Sequence, residues 1–314
     1  MKMGFLKKWI ICSRPFSFPA STMPVVFGTV LATVYGGYPF KPVLFLLALT
    51  AMLMLHSGAN ILSDIYDYRK GLDKMPTPVS GGIVRGIISE KEALWGTVIL
   101  LTGGLLTGLL LAYLSGPWLL LIGLGGIFIG IFYTTNAPFS LKYHGLGDLA
   151  VFLDFGILGS LGAWYVQTGV LSIVPVIWAI PMATLVIGIL HANNWRDIES
   201  DLKGKIFTIA SLLGDKKSER YYGFLIFGPY VMVLLFIFIP YLIPSFPRMP
   251  LTFLITLLAL PLSLKLWQTA TKRKDARDPM AFITLDGATA KLNLEFGLLS
   301  SLALILNLII GLLF

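Results

Sequence analysis

Residues 93–135 read ALWGTVILLTGGLLTGLLLAYLSGPWLLLIGLGGIFIGIFYTT, a run without one Asp, Glu, Lys or Arg, interrupted only at Ser115-Gly116-Pro117. About 20 apolar residues carry a helix across a hydrocarbon core of about 30 Å, so this run holds two crossings, 93–114 and 117–135, joined by a turn. Similar stretches at 17–36, 43–63, 147–167, 173–194, 222–243, 250–270 and 291–313 bring the expected total to nine. Pro19 and Pro24 interrupt the first, which membrane helices tolerate when neighbours satisfy the freed backbone groups. Lys7 and Lys8 before that stretch also fit a signal peptide, but no small-residue cleavage site follows, and a span is the expectation. The sequence therefore predicts an all-α integral membrane protein. Nine transmembrane helices over residues 1–314 form a single domain around a central cavity that opens to the cytoplasmic side.

Composition excludes the main alternatives. Of 314 residues, 56% are hydrophobic and 13% charged, about half the charged share of a soluble domain, and the mean hydropathy is +0.82. A soluble enzyme, a disordered chain and a nucleic-acid binder are ruled out. The net charge of +8 fits inner loops facing anionic lipid. With nine spans, one side of the membrane keeps only Lys41 and Arg248 outside the spans, and the other receives nearly all remaining Lys and Arg. That bias places the N-terminus and the long loops, about 64–91 and 195–221, in the cytoplasm of a cell-membrane protein. The lone Cys12 supports neither a disulfide framework nor a zinc pattern.

Two acidic segments leave the spans on that charged side. The first reads Asn60-Ile-Leu-Ser-Asp64-Ile-Tyr-Asp67, with Asn60, Asp64 and Asp67 at i, i+4 and i+7 on one helical stripe. In the second, Asn193-Asn194-Trp-Arg196-Asp197-Ile-Glu199-Ser-Asp201, the residues Asn193, Asp197 and Asp201 fall at i, i+4 and i+8. Glu199 lies off the stripe and reads as a solvated charge. Clustered carboxylates at a hydrocarbon boundary repel one another unless a cation neutralises them. Oxygen-only ligands select a hard ion, and Mg²⁺ prefers a few carboxylates plus phosphate oxygens. Two Mg²⁺ ions bridging protein to a diphosphate are the expected occupants, one on Asn60, Asp64 and Asp67, the other on Asn193, Asp197 and Asp201. Solvated helix ends paired with Arg69, Lys70 and Arg196 are the plain alternative.

A diphosphate also needs protein cations. Arg85, within Ser80-Gly81-Gly82-Ile-Val-Arg85-Gly86, and Lys142 are the first candidates, and Arg69 and Lys70 flank the first acidic stripe. Within the spans, Asp154 is expected to line the cavity as an intramembrane ionisable group. His191 and His56, each one turn before an acidic segment, are read as packed imidazoles or as groups approaching an acceptor. Lys291 and Glu295 are expected to pair at i, i+4.

These segments resemble the UbiA-type intramembrane prenyltransferases over nearly the whole chain, and most closely their menaquinone-pathway branch, the 1,4-dihydroxy-2-naphthoate polyprenyltransferases. Asp64-Ile-Tyr-Asp67-Tyr-Arg69-Lys70-Gly71-Leu-Asp73 is similar to that branch's first motif. Asn193-Asn194-Trp-Arg196-Asp197-x-x-x-Asp201 with Thr208-Ile-Ala-x-Leu-Leu-Gly214 is similar to the second. Arg14-Pro15 resembles the opening of the first helix, and Tyr133-Thr134…Tyr143-x-Gly145-Leu146-Gly147-Asp148 the loop after the fourth. Ser63 stands where many relatives carry Asn. The resemblance implies catalysis through Asp64, Asp67, Asp197 and Asp201, with Tyr143 beside the diphosphate and Arg14, Asp154 and His191 toward the acceptor or cavity. It implies Mg²⁺-dependent transfer of a polyprenyl group from an isoprenyl diphosphate to an aromatic acceptor at the bilayer, with 1,4-dihydroxy-2-naphthoate expected. 4-Hydroxybenzoate, a glycerol-phosphate lipid and haem are alternative acceptors. A cation-coupled transporter is the reading of a different class.

Overall fold

The computed structural model of the chain describes residues 4–71, 81–135, 139–273 and 279–313. Asp73 and Ser80 of the quoted motifs lie outside the described residues. A short helix α1 (Phe5–Cys12) leads into α2 (Pro15–Tyr35), α3 (Pro42–Arg69), α4 (Glu90–Ser115), α5 (Trp118–Thr134), α6 (Gly147–Thr168) and α7 (Val174–Arg196). There follow α8 (Ile198–Lys203), α9 (Ile209–Tyr241), α10 (Leu251–Thr271), α11 (Pro279–Ile283) and α12 (Leu285–Leu313). Among the described residues, eight helices are long and apolar enough to cross a membrane, and the chain is an all-helical, multi-pass membrane protein. The ninth expected span forms α5, an apolar helix of 17 residues and hence about 26 Å long.

The apolar faces point both ways, as a bilayer solvent requires. On α4, Trp95, Val98, Ile99, Leu106 and Leu110 are exposed on the outer surface, while small residues meet α3. A Cβ on Gly104 would lie 2.7 Å from Leu55, and one on Gly58 2.7 Å from Leu101, the close approach that small residues permit between membrane helices. α7 is the centre of the bundle, packed against α6, α9 and α12. Its contact with α6 is tight, since a Cβ on Gly156 would stand 2.2 Å from that of Ala183. Buried hydroxyls add interhelical bonds, with Tyr222 Oη 2.7 Å from Thr289 Oγ1 and Tyr230 Oη 2.8 Å from Ser263 Oγ. Lys291 and Glu295 form no ion pair, and Lys291 is exposed.

The two ends of the bundle differ. At one end the connections are tight: Gly116 and Gly169 turn the chain at positive φ. The Gln167 side-chain amide there pairs with the backbone of Lys41, accepting at 2.8 Å and donating at 3.3 Å. At the other end the helices outrun the apolar stretches. α3 continues to Arg69, α9 begins at Ile209 and α12 at Leu285. The start of α4 is fixed by a capping box, in which Ser89 Oγ accepts from Glu92 N at 3.2 Å and Glu92 Oε2 from Ser89 N at 2.7 Å. All of the acidic segments lie at this second end.

Candidate active site

The last turns of α3 carry Asn60, Asp64 and Asp67 on one continuous helix, as the spacing predicts. Each is held from a different direction. Asn60 Nδ2 donates to Ser13 O at 3.0 Å and to Ser17 Oγ at 3.3 Å. Asp64, with a side chain only 4% exposed, forms an ion pair with Arg14 and accepts from Gly82 N at 3.2 Å. A Cβ on Gly81 would lie 2.4 Å from the Asp64 carboxylate, so that turn can cover the carboxylate only as glycine. Arg14 reaches Asp64 from the α1–α2 junction in a left-handed backbone conformation, φ 53° and ψ 60°. For a residue with a Cβ this is strained, and such strain gathers at functional sites. Its Nε is buried with no hydrogen-bond partner. Asp67 accepts from Lys142 Nζ at 3.0 Å on both oxygens and from Ser63 Oγ at 3.4 Å.

The second segment departs from the expected single stripe. α7 ends at Arg196, Asp197 sits at φ −98° and ψ 11°, and α8 restarts at Ile198. Asn193 and Asp201 thus belong to separate helices, although Asp201 N still donates to Asp197 O at 2.9 Å and keeps one turn between the two aspartates. Arg196 grips Asp197 through Nε at 3.0 Å and Nη2 at 2.9 Å. Its Nη1 donates to Asp286 Oδ2 at 3.0 Å and to Ile283 O at 3.2 Å. Asn193 Nδ2 reaches the same Asp286 oxygen at 3.4 Å. Thr208 Oγ1 donates to Asp201 Oδ2 at 3.4 Å.

The loop after α5 joins the two segments. A 3₁₀ turn, Leu141–Tyr143, holds Lys142, and Phe207 N donates to Tyr143 O at 3.1 Å, which ties this loop to the one following α8. Burial, together with the nearby Asp197 carboxylate, pushes the Asp201 carboxyl up to about 7; Asp67 adds to the rise and Lys142 opposes it. The two acidic segments therefore lie within reach of each other's charge. Burial pulls the Lys142 ammonium downward, but Asp67, Tyr133 and Tyr143 together outweigh it and leave the ammonium above its ordinary value. Burial raises the Tyr143 phenol, whose buried hydroxyl has no hydrogen-bond partner. Lys70 Nζ stands 3.5 Å from the centre of the Tyr143 ring, and burial and then Lys142 lower its affinity for a proton.

Beneath these groups is a cavity of about 200 Å³, walled at its charged end by Arg14, Asn60, Asp67, Lys142, Asn193 and Asp286. Asp154, Phe155 and Ile129 line it as well. Other expected residues fall elsewhere. Arg69 is half exposed and pairs with Glu90 at 2.7 Å, Arg85 is exposed on the Gly81–Gly86 turn, and neither belongs to the cavity wall. His191 is fully buried between Trp195 and Tyr221, with Nε2 3.3 Å from Ser218 O, and does not line the cavity. Among the described residues no three His, Cys, Asp or Glu side chains form a ready metal cluster. The oxygen donors still suit Mg²⁺, which takes one or two carboxylates and completes its shell with water and phosphate.

Two features escaped the sequence reading. Asp286 is buried and joins Arg196 to Asn193 from the first turn of α12. An apolar window opening at residue 291 leaves it in a loop, and only the helix start at Leu285 reveals its position. The other is a polar chain below Asn60, in which His56 Nε2 lies 3.2 Å from Ser17 Oγ and Nδ1 2.7 Å from Ser21 Oγ. His56 thus steadies Ser17, the hydroxyl that accepts from Asn60.

Helices and site together define a multi-pass membrane protein with acidic and basic side chains gathered around a cavity at one end. The chain belongs to the UbiA prenyltransferase family, whose profile matches residues 21–286, and it is a prenyltransferase. It is 34% identical over 301 residues to UbiA prenyltransferase domain-containing protein 1 of Danio rerio, covering 95% of this chain and 84% of that protein. To the Homo sapiens protein of the same name it is 33% identical, covering 95% and 83%. Its fold matches a UbiA homolog from Archaeoglobus fulgidus bound to GPP and Mg²⁺, with a TM-score of 0.61 at 16% identity over 93% of this chain and 99% of that one. A digeranylgeranylglyceryl phosphate synthase shares the fold at a TM-score of 0.58 and 17% identity, over 96% and 98% of the two chains.

Proposed function

We propose that this enzyme transfers a polyprenyl group from an isoprenyl diphosphate to an aromatic acceptor, with 1,4-dihydroxy-2-naphthoate of menaquinone biosynthesis as the acceptor, in a Mg²⁺-dependent reaction. The observation that carries the reading is the pairing pattern: Asp64 and Asp67 each meet a cation brought by a distant segment, Arg14 and Lys142, and Asp197 is gripped by its chain neighbour Arg196. Such a site accepts a metal and a polyanion together, because the carboxylates can turn to the metal while the cations turn to phosphate oxygens. The Archaeoglobus fulgidus homolog holding GPP and Mg²⁺ supports the same ligand pair here.

Asn60, Asp64 and Asp67 on one side, and Asn193, Asp197 and Asp201 on the other, would hold the metal ions. When bound, Mg²⁺ supplies neutralisation of the departing diphosphate. Arg14, with its partnerless Nε, Lys142 and the Tyr143 hydroxyl donate to the phosphate oxygens as the allylic C–O bond breaks and its electron pair leaves with the diphosphate. The apolar walls keep water from the allylic cation. A ring carbon of the acceptor attacks it, and that carbon then loses a proton or, in a carboxylated naphthoate, carbon dioxide. The Lys and Arg excess at this end supports a cytoplasmic orientation for it and for the N-terminus, in the cell membrane.

The test is to incubate purified protein with Mg²⁺, a radiolabelled prenyl diphosphate and a panel comprising 1,4-dihydroxy-2-naphthoate, 4-hydroxybenzoate and a glycerol-phosphate lipid. The prenylated, decarboxylated naphthalenediol with equimolar carbon dioxide and pyrophosphate is the expected outcome; another prenylated acceptor would replace the naphthoate assignment. A cation-coupled transporter would release no pyrophosphate.

The raised Asp201 carboxyl adds a pH dependence. Metal binding requires the ionised form, and without metal this group keeps its proton up to about pH 7. Mg²⁺ affinity is expected to rise as pH climbs through 7, by up to about tenfold per unit below it, and to level off above about 8. Calorimetry in buffers of different ionisation heat should show about one proton released per metal at pH 6, and none in Asp201→Asn. The sign for folding is the reverse: the metal-free protein keeps this contribution to stability below the ordinary carboxylate value and loses it as pH rises through 7.

A further inference from the structure

We infer that Asp154 is the acceptor-orienting residue, taking a hydrogen bond from a ring hydroxyl of the substrate and so selecting hydroxylated rings; this rests on the aromatic-acceptor reading above. Asp154 stands seven residues into α6, about 10 Å along the helix from its charged end. Its carboxyl lines the same cavity as Asn60, Asp67 and Asn193. Among the described residues it has neither an ion-pair nor a hydrogen-bond partner, although every other acidic side chain on the cavity wall has one.

The local backbone is built around this carboxyl. Phe152–Leu158 is wound as a π-helix within the otherwise α-helical span, a deviation frequent at functional sites. The facing helix α5 presents glycine, and a Cβ on Gly126 would lie 2.9 Å from Asp154 Oδ1. Gly130 of the same helix continues the cavity wall. An intramembrane carboxyl without a partner is costly and points to a role in binding.

The chemistry of the occupant follows. A diphosphate is excluded by like charge and by depth, since its cations Arg14 and Lys142 are grouped at the mouth with Asp64 and Asp67. An isoprenoid chain has no donor and would leave the carboxyl unsatisfied. A phenolic hydroxyl meets the requirement. Phe155 and Ile129 beside Asp154 supply apolar surface for the ring that carries it.

The test uses the full chain in nanodiscs with Mg²⁺, geranylgeranyl diphosphate, 1,4-dihydroxy-2-naphthoate and the two mono-O-methyl ethers of that diol. A hydrogen bond to a charged group corresponds to a factor of about 10 to 150. The wild type is expected to prefer the diol to at least one ether by that factor in kcat/KM. Asp154→Leu should lower kcat/KM for the diol by the same factor and shrink the preference to within about threefold. The KM for geranylgeranyl diphosphate and its hydrolysis without acceptor should stay within about twofold, which also reports that the variant is folded. Asp154→Asn retains one neutral acceptor oxygen, so a smaller loss in the same direction is expected; it serves where the leucine variant does not fold. An unchanged preference in a folded variant overturns the role of Asp154 and leaves the aromatic reading standing. Loss of acceptor-free hydrolysis in step with transfer also overturns it, by placing the carboxylate beside the prenyl cation. A wild type that prenylates none of these rings overturns the aromatic reading and this inference together.

Discussion

Asp197→Asn is expected to lower prenyl transfer by on the order of 10³-fold with the melting temperature within about 2 °C of wild type. Its side chain is 38% exposed, and its partner Arg196 keeps a second carboxylate, Asp286, after the change. Loss of charge therefore removes a carboxylate of the proposed metal site without stranding a buried ion. Asp64→Asn should lose activity to the same degree but also stability, because Asp64 is 4% exposed and Arg14 would keep a partly buried guanidinium, its Nε fully buried, without its counterion. Breaking a fully buried pair from one side costs about 3–5 kcal/mol, and the partial exposure of Arg14 puts this one below that range. Turnover with a prenyl diphosphate and thermal unfolding, measured on the same preparations, check both. An Asp197→Asn enzyme with wild-type turnover would remove this segment from the reaction.

Lys142→Met should raise the KM for prenyl diphosphate by about 10- to 150-fold, the range for a charge-assisted hydrogen bond. In the free protein, Lys142 neutralises Asp67 at 3.0 Å, contacts Ser63 at 3.3 Å and offsets part of the negative field on Asp201. Methionine keeps the packing of the stem and removes only the charge. Mg²⁺ binding without diphosphate should therefore strengthen in the variant, since a competing cation has left Asp67, while diphosphate binding weakens. Opposite signs in the two titrations separate a phosphate-gripping lysine from one that merely holds the loop, which would shift both downward.

Much of this was readable from the chain because bilayer crossing is a strong constraint. The tight-turn ends of the helices fall within a few residues of the hydropathy boundaries. At the charged end three do not, those of α3, α9 and α12, since a helix need not stop where lipid stops. α9 starts at Ile209 rather than 222 because its first turns, with Asp215, Lys216, Lys217, Glu219 and Arg220, lie beyond the apolar window, and they are kinked at Gly214, φ 71° and ψ 174°. Asn60, Asp64 and Asp67 could be placed on one stripe because nothing between them breaks a helix. The break at Asp197 left no Gly or Pro as a signal; it shows in backbone angles and in the Arg196 clamp. Charge patterning picks out the loops at one end of the bundle but carries no depth, which is why Arg69 and Arg85 flank the site while Lys142 enters it. Asp286 was hidden for a different reason: its partner Arg196 is 90 positions away.

The short α5 has an effect on what encloses the reaction. At 17 residues, it falls about 4 Å short of the hydrocarbon it must traverse. A bilayer meets such a deficit by local thinning or by packing acyl tails over the missing turn. The lipid so thinned or packed lies beside the flank where Ile129 and Tyr133 form the chamber wall, a single helix between acyl tails and the space within.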